Sequence, residues 1–237
     1  MNSTRLPSGS GARQVRAERI LDITAELLTQ HGYRRVTIDD VAGRAGVGKG
    51  TVYLHWKTRE ALFWAALQRE ALRLFDQLAA DLQQDPELAL PHRLMRVIFL
   101  ESVRRPLVRA LLLSDPVLLG NLAQDESVRA AQQELAENPD YLQLLSEEGA
   151  LRPGLTAAGA LHLLSNVTRG FATADELGED DGLALEERAD LLAYVLERAL
   201  ERDTPLPAEG LSTLNKRVID MFTAMADGHR EQLSRAF

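Results

Sequence analysis

Apolar residues recur along most of this chain at steps of three and four, which is the period of one face of an α-helix. The first such stripe predicts a helix from about residue 13 to residue 31, and Gly32 ends it. Three later stripes predict helices over residues 157–171, 185–199 and 211–225. The region between residue 84 and these stripes is divided into helices of ordinary length by prolines at positions 86, 91, 106, 116, 139 and 153. The pattern therefore predicts an all-α fold.

Two short helices are predicted between the first helix and a longer fourth one. Thr37 precedes an apolar stripe of only two turns, and Asp40 stands three residues after it, which is a capping signal at a helix N-terminus. A turn that contains glycine follows, and residues 49–56 predict a third short helix. Thr58 can cap a fourth helix over residues 59–83. The order helix, turn, helix is the pattern of this region.

The composition also favours helices, because 42 leucines stand against 18 isoleucines and valines and 12 aromatic residues. The absence of cysteine excludes disulfides and thiolate sites and is typical of a reducing compartment. The longest stretch without a charged residue, 153–168, is shorter than the roughly 18 to 20 apolar residues of a spanning helix, so we expect no membrane segment. The first residues, MNSTRLPSGSGAR, have no apolar core of a secretory signal. We therefore expect a cytoplasmic protein in which residues 1–12 are a flexible arm.

Charge is distributed unevenly along the chain, although the net charge is −8. Residues 1–60 contain ten lysines and arginines against six carboxylates, whereas residues 61–237 contain seventeen against twenty-nine. A basic head on an acidic body is typical of a protein whose head alone meets a polyanion such as DNA. The excess of positive charge in the head is modest, so a chance fluctuation is the alternative.

The two short helices and their turn match the helix-turn-helix geometry, in which the second helix enters the major groove of DNA. Val52 and Trp56 lie four residues apart and can anchor that helix inward. Its other residues can then face outward, with cationic, hydroxyl and apolar groups for phosphates and base edges. This outward set is Lys49, Gly50, Thr51, Tyr53, Leu54 and His55.

A series of features in one register extends through the segment HGYRRVTIDDVAGRAGVGKGTVYLHWKTREALF. They are Gly32-Tyr33, Thr37 before Ile38, Val41-Ala42, Ala45-Gly46-Val47, Lys49-Gly50-Thr51, Tyr53 and Arg59-Glu60-Ala61-Leu62. With these features, residues 16–67 closely resemble the N-terminal DNA-binding domain of the tetracycline-repressor (TetR) family of bacterial transcription regulators. The resemblance covers only about a fifth to a quarter of the chain.

The resemblance implies that the outward set faces the groove and that Thr37, Arg44 and Arg59 bind phosphates. It also implies a homodimer that binds a palindromic operator of double-stranded DNA, more commonly as a repressor. The sequence departs from the family pattern at Gly48, where a capping Ser or Thr is common, and at Arg59, which replaces the usual Lys but keeps its charge. Tyr53 could instead be a buried ring of the core.

For residues 61–237 the resemblance implies a helical domain that dimerises and holds a small-molecule effector of unknown identity. A two-fold dimer is also favoured on physical grounds, because one short reading helix has little specificity. The stripes over 157–171 and 185–199 are the candidates for the interface. The alternative is that both stripes face the core of the monomer.

A polar row lies on the opposite side of the helix predicted over 157–171. It contains His162, Asn166 and Arg169, at steps of three and four. Such a row predicts residues that line a ligand pocket or an interface, and a solvated helix face is the alternative.

No set of residues supports catalysis, a metal or a cofactor. The five histidines lack the spacing of a metal site, and residues 48–51, GKGT, lack the upstream glycine and the strand of a phosphate-binding loop. We therefore expect no enzyme. Two functions remain: a DNA-binding regulator whose residues 13–60 form the helix-turn-helix domain, and a helical adaptor whose partner is a protein.

Overall fold

The computed structural model describes residues 9–130, 139–174 and 182–235. Most of these residues are helical, and the described ranges contain no β-strand, only an isolated antiparallel bridge between Leu151 and Glu201. The α-helices are α1 (Gly9–His31), α2 (Ile38–Ala45), α3 (Lys49–His55), α4 (Arg59–Gln84), α5 (Pro91–Arg104), α6 (Pro106–Leu113), α7 (Pro116–Leu119), α8 (Pro139–Glu147), α9 (Ala157–Thr173), α10 (Leu185–Leu200) and α11 (Ala208–Arg235). Two 3₁₀ helices, Pro86–Ala89 and Gly120–Gln124, lie between them, and residues 126–130 are also helical. The predicted all-α fold is confirmed.

Helix starts follow the local chemistry of the sequence. The hydroxyl of Thr58 accepts a hydrogen bond from the backbone N–H of Ala61 at 3.0 Å, and Thr156 caps α9 in the same way. The helices α5 to α8 each begin at a proline, which lacks the N–H group that would be unsatisfied in a first turn. Pro153 lies in the turn between α8 and α9.

The first helix begins earlier than predicted. Residues 9–12 belong to α1, although the sequence predicts them to be part of a flexible arm. Glycine and serine are tolerated there because the N–H groups of a first helical turn need no partner within the helix. Residues 1–8 of the predicted arm lie outside the described residues.

The long helix α4 connects the two parts of the molecule. Near its start Phe63 packs edge-on against Tyr33, which follows α1, with ring centroids 5.5 Å apart. Further along, Phe75 stacks on Phe222 of α11 with centroids 6.0 Å apart. We call α1 to α3 the head and α5 to α11 the body. One continuous hydrophobic core extends through both, and the predicted division at residue 60 falls within the first turn of α4.

The two stripes proposed as interface candidates face the interior of the chain. On α9 and α10 the buried members are Ala160, Leu164, Ala189, Leu192 and Leu196. The two alternatives for these stripes were a dimer interface and the core of the monomer, and the structure shows them in the core. A dimer interface on these helices would therefore use their other faces.

A spanning helix is not found in the described part of the chain, where no single helix is both long and apolar enough to cross a membrane. Only α6 taken together with the segment Pro116–Gln124 passes that test of length and composition, and these two segments meet at a bend of 107°.

Candidate nucleic-acid interface

The helix α2 is fixed at both ends, and this positions α3. The backbone N–H of Asp40 donates to the Thr37 hydroxyl oxygen at 3.2 Å, and the backbone N–H of Thr37 donates to Oδ2 of Asp40 at 2.9 Å. Hydrogen bonds from the Thr37 hydroxyl and backbone lower the pKa of the Asp40 carboxyl. At the other end Gly46 has a φ of +67°, and the N–H of Val47 donates to the Ala42 carbonyl oxygen at 3.0 Å. The chain therefore turns into α3 within three residues, Gly46, Val47 and Gly48.

The inner face of α3 contains one residue more than predicted. Val52 and Trp56 are buried as expected, but His55 is also buried, with only 6% of its surface exposed. Burial, together with the charges of Arg13 and Arg16, lowers the pKa of His55, so its ring is neutral at pH 7. The prediction that His55 faces the groove is therefore wrong. The helical period contained the signal, because position 55 follows Val52 by three residues.

The outer face of α3 carries the rest of the predicted set. Lys49 and Gly50 are exposed, and Thr51 is partly exposed. Leu54 has 68% and Tyr53 39% of its surface exposed, which is unusual for large apolar side chains. The exposure of Tyr53 excludes the alternative of a core ring.

The cations on this side of the head have carboxylate partners within the chain. Nζ of Lys49 lies 2.8 Å from Oδ2 of Asp39 on α2, and the hydrogen bond and charge of Asp39 raise the pKa of Lys49. Arg44 pairs with Glu26 of α1 and also donates to the side chain of Gln30 at 3.4 Å. Both pairs are exposed, so solvent weakens them, and phosphate can replace the carboxylate as partner.

Arg59 is held where α4 begins. Its guanidinium carbon lies 4.6 Å from the Tyr33 ring centre and 5.4 Å from the Phe63 ring centre. The same group donates to the Val36 carbonyl oxygen at 3.4 Å and pairs with Glu60 at 3.4 Å. The side chain is 30% exposed. A phosphate contact from Arg59 stays a prediction, as does one from the exposed Thr37.

Sequence reasoning missed two cations near α3. Lys57 is exposed directly after Trp56, and Arg16 is exposed on α1. The charge of Arg16 affects the titration of His55, which places the start of α1 beside the end of α3. The signal was the step of three between Arg13 and Arg16, which puts both on one side of α1.

A second candidate site is a cavity in the body, between α5, α6 and α9. Its volume is about 60 Å³. The apolar lining residues are Met95, Ile98, Phe99, Leu112, Leu113, Leu164 and Ala172, and the polar ones are Ser102, Ser165, Thr168 and Arg169. The hydroxyls of Ser165 and Thr168 are buried and have no hydrogen-bond partner in the described part of the chain.

Only one of the three predicted ligand residues lines this cavity. Arg169 stands at its mouth, with an exposed side chain. His162 and Asn166 are exposed and are not among the lining residues, and the Asn166 amide donates to the backbone oxygen of His162 at 2.7 Å. His162 and Asn166 therefore do not line this cavity, and their role at an interface stays a prediction.

A close contact joins the body to the head. The backbone N–H of Tyr33 donates to the Val117 carbonyl oxygen on α7 at 3.1 Å. Gly120, at the end of α7, lies so close to Tyr33 that a Cβ atom there would be 2.2 Å from Cδ1 of the ring. Since α7 follows α6 directly, the wall of the cavity is connected to the end of α1.

Comparison with known proteins finds similarity to bacterial transcription regulators. Residues 20–66 match the family model of the bacterial regulatory proteins of the tetR family. An uncharacterized HTH-type transcriptional regulator, YvkB of Bacillus subtilis, is 25% identical over 202 residues, which is 82% of this chain and 96% of YvkB. The HTH-type transcriptional repressor KstR of Rhodococcus jostii is 30% identical over 133 residues, which is 56% of this chain and 60% of KstR.

The fold is also similar to solved structures. The SmeT–triclosan complex superposes with a TM-score of 0.62 at 23% identity and covers 82% of this chain and 100% of SmeT. At that identity the likeness concerns the fold alone.

Proposed function

We propose, from the premise that this chain belongs to the tetR family of bacterial regulatory proteins, that it represses transcription and that a small molecule releases it from DNA. As a family member it is a DNA-binding transcriptional regulator and not an enzyme. Its operator is a palindrome of double-stranded DNA, bound by a homodimer in the cytoplasm. In this proposal residues 13–60 bind DNA and residues 61–237 dimerise and bind the effector.

The observation that carries the proposal is the outer face of α3. Lys49, Tyr53 and Leu54 are exposed together on a helix whose other side is buried, and Gly50 lets a DNA backbone approach closely. An ammonium group suits phosphate or a guanine edge, a phenol hydroxyl gives a directed hydrogen bond, and a leucine tip suits a thymine methyl. Arg44, Arg59 and Thr37 flank this face and supply phosphate contacts.

Exposed apolar side chains on α9 and α10 support the homodimer. They are Leu163 on α9 and Leu191 and Tyr194 on α10, with Tyr194 58% exposed. Leu191 and Tyr194 are three residues apart and so share one face of α10. Two copies of α9 and α10 that meet on these faces form a four-helix bundle across a two-fold axis.

The cavity of the body is the effector site in this proposal, and the contact at Tyr33 is the route to the head. Leu112 and Leu113 line the cavity at the end of α6, and α7 then begins at Pro116. A ligand that moves the end of α6 also moves Val117 and Gly120, which hold Tyr33. A shift of Tyr33 changes the position of the head and therefore the spacing of the two reading helices.

Binding to the promoter DNA beside its own gene tests the proposal. Fluorescence anisotropy of the purified protein is compared on this duplex and on a scrambled duplex of equal length, between about 50 and 200 mM salt. We expect promoter affinity at least about a thousandfold above scrambled DNA, and a steep loss as salt rises. Equal affinity for the two duplexes at low salt would contradict the proposal.

The dimer is tested by mass in solution. Tyr194→Asp places a charge on the exposed face of α10, and we expect a shift from dimer to monomer mass with a loss of promoter affinity. Thr213→Asp, at an exposed position of α11, is the control and should leave the mass unchanged. A monomeric wild-type protein that still binds promoter DNA specifically would contradict the dimer.

A further inference from the structure

We propose that the cavity between α5, α6 and α9 binds an aliphatic monocarboxylate, with the carboxylate on α9 and the alkyl chain against α5 and α6. This inference rests on the proposed function in one respect, since it takes the cavity to be the effector site. Three features of the cavity support it: unpaired donors on one wall, a positive charge at the mouth, and an apolar opposite wall.

The α9 wall contains two hydroxyls that lack the partner usual for their position. A serine or threonine inside a helix commonly donates to the carbonyl oxygen four residues earlier. Thr173, near the end of α9, does so, with its hydroxyl 2.9 Å from the Arg169 carbonyl oxygen. Ser165 and Thr168 make no such bond, although both hydroxyls are buried. Buried hydroxyls without a partner cost free energy, and a ligand with acceptor oxygens would supply the missing bonds.

The charge at the mouth is positive. Arg169 follows Ser165 by four residues, so both lie on one side of α9, and Arg169 lines the cavity together with Ser165 and Thr168. It makes no ion pair with any residue in the described ranges. The residues that line the cavity include no aspartate or glutamate. Two hydroxyl donors beside an unpaired guanidinium suit a carboxylate, and an amine would meet repulsion without a counter-charge.

The opposite wall is apolar, and it determines which chemical group the rest of the ligand has. Met95, Ile98 and Phe99 on α5 face Leu112 and Leu113 on α6 across the space. The volume of about 60 Å³ leaves room for only a few water molecules, at roughly 10 to 15 Å³ of such space each. An alkyl chain longer than a few carbons therefore enters only if side chains of α5 and α6 move apart. Binding of such a ligand therefore displaces side chains of α6.

Isothermal titration calorimetry with the full chain tests the inference, and octanoate is the probe. 1-Octanol and octylamine have the same chain length and differ in the head group. We expect octanoate to bind at least about tenfold more tightly than 1-octanol, since hydrogen bonds to a charged group are worth more than those to a neutral one. Octylamine should give no measurable binding. Binding of 1-octanol or octylamine as tight as that of octanoate overturns the proposal, and so does the absence of octanoate binding.

Variants of the α9 wall identify the site. We expect Arg169→Gln to weaken octanoate binding by about tenfold or more and to change the affinity for 1-octanol by less than about twofold. Lys216→Gln removes the same charge from an exposed position of α11 and is the matched control. An equal loss in both variants means long-range charge only and overturns the proposal. Arg169 has an exposed side chain, so its substitution should leave the fold intact.

The hydroxyls are tested by Ser165→Ala combined with Thr168→Val, with Thr213→Val as the control on α11. We expect a loss of octanoate affinity of about tenfold in the double variant and none in the control. If the double variant does not fold, the comparison of Arg169→Gln with Lys216→Gln decides alone.

The two proposals can fail separately. Octanoate binding is measured without DNA, and promoter binding is measured without octanoate. A protein that binds its promoter and ignores octanoate contradicts only the ligand class, whereas one that binds octanoate and not the promoter contradicts the proposed function. If both hold, octanoate should also lower promoter affinity.

Discussion

The outer side of the head and the cavity of the body differ in how their polar groups are satisfied. On the head, Lys49 and Arg44 already pair with the carboxylates of Asp39 and Glu26. In the cavity, the hydroxyls of Ser165 and Thr168 have no partner in the described residues. The head therefore exchanges partners when it binds, whereas the cavity gains them.

This difference has consequences for the energetics of each site. Exchange of an exposed carboxylate for a phosphate yields a small net energy for each cation, and it depends strongly on salt. Filling an unsatisfied buried donor yields more for each bond and depends weakly on salt, because the group is shielded from ions. We therefore expect many weak contacts to determine DNA binding and a few strong ones to determine ligand binding.

The largest effect is expected where the two regions meet, at Gly120. Its φ of +52° and ψ of −128° disfavour any residue with a side chain, and a Cβ would overlap the Tyr33 ring. Gly120→Ala should therefore reduce the free energy of unfolding by about 2 to 4 kcal/mol and lower promoter affinity with it. Urea unfolding and anisotropy measure the two quantities. If stability falls and promoter affinity does not change, the contact at Gly120 does not couple the body to DNA binding by the head.

Gly149 offers a matched control for this substitution. It has a φ of +66°, and no atom lies within 4 Å of a Cβ built there. Gly149→Ala should cost only about 1 to 2 kcal/mol, from backbone strain alone, and should leave promoter affinity unchanged. An equal loss of stability in both variants would mean that the contact with Tyr33 contributes nothing.

Loss of Lys49 is expected to have the next largest effect, on DNA binding alone. Lys49→Ala should lower promoter affinity by about tenfold or more and reduce the slope of log affinity against log salt by about one for each head. Lys216→Ala removes the same charge from the exposed side of α11 and should change neither quantity. If the slope is unchanged in Lys49→Ala, Lys49 does not contact phosphates or bases of the DNA.

Much of the head could be predicted because its signals are local. A threonine followed three residues later by an aspartate fixes the start of α2, and the side chain of Thr58 fixes the start of α4. The orientation of His55 was predicted wrongly, because its polar ring suggested an outward position although its step of three from Val52 places it on the buried face of α3. The His55 ring lies 5.3 Å from the ring of Trp56, and this contact forms only in the folded chain.

The cavity could not be predicted in the same way. Its walls come from α5, α6 and α9, and Met95 and Ala172 are far apart in sequence. A polar row such as His162, Asn166 and Arg169 has the same period whether it faces a cavity or water. Only the packing of α9 on the other helices separates Arg169 from His162 and Asn166.

A smaller effect is expected from pH, and both regions contribute to it. Burial lowers the pKa of His55 in the head, with Arg13 and Arg16 adding to the shift, and burial also lowers the pKa of His229 in the body. The unfolded chain takes up protons as the pH falls through about 6.5, and the folded chain does so only at lower pH. Stability is therefore fully present above about pH 6.5, decreases below it, and levels off beneath the lowered pKa values.

The melting temperature checks this expectation. It should fall between about pH 7.5 and 5.5, because the unfolded chain binds protons on these histidines at higher pH than the folded chain does. His229→Leu should flatten the dependence, and His162→Gln, at an exposed position, should not. A melting temperature that rises as the pH falls would contradict the assigned direction.

The smallest effect, and the most direct test of the exchange of partners on the head, is expected from Asp39→Asn. The exposed pair of Asp39 with Lys49 competes with phosphate, and such a pair is worth about 0 to 1 kcal/mol. Its removal should raise the affinity for promoter and scrambled DNA alike, by up to about fivefold at low salt, and the gain should vanish at high salt. Glu209→Gln is the control, because it also removes a carboxylate from a first helical turn, in α11, and should leave both affinities unchanged. A lower affinity in Asp39→Asn would mean that Asp39 holds Lys49 in place for DNA, so that the pair prepares the head for binding and does not compete with it.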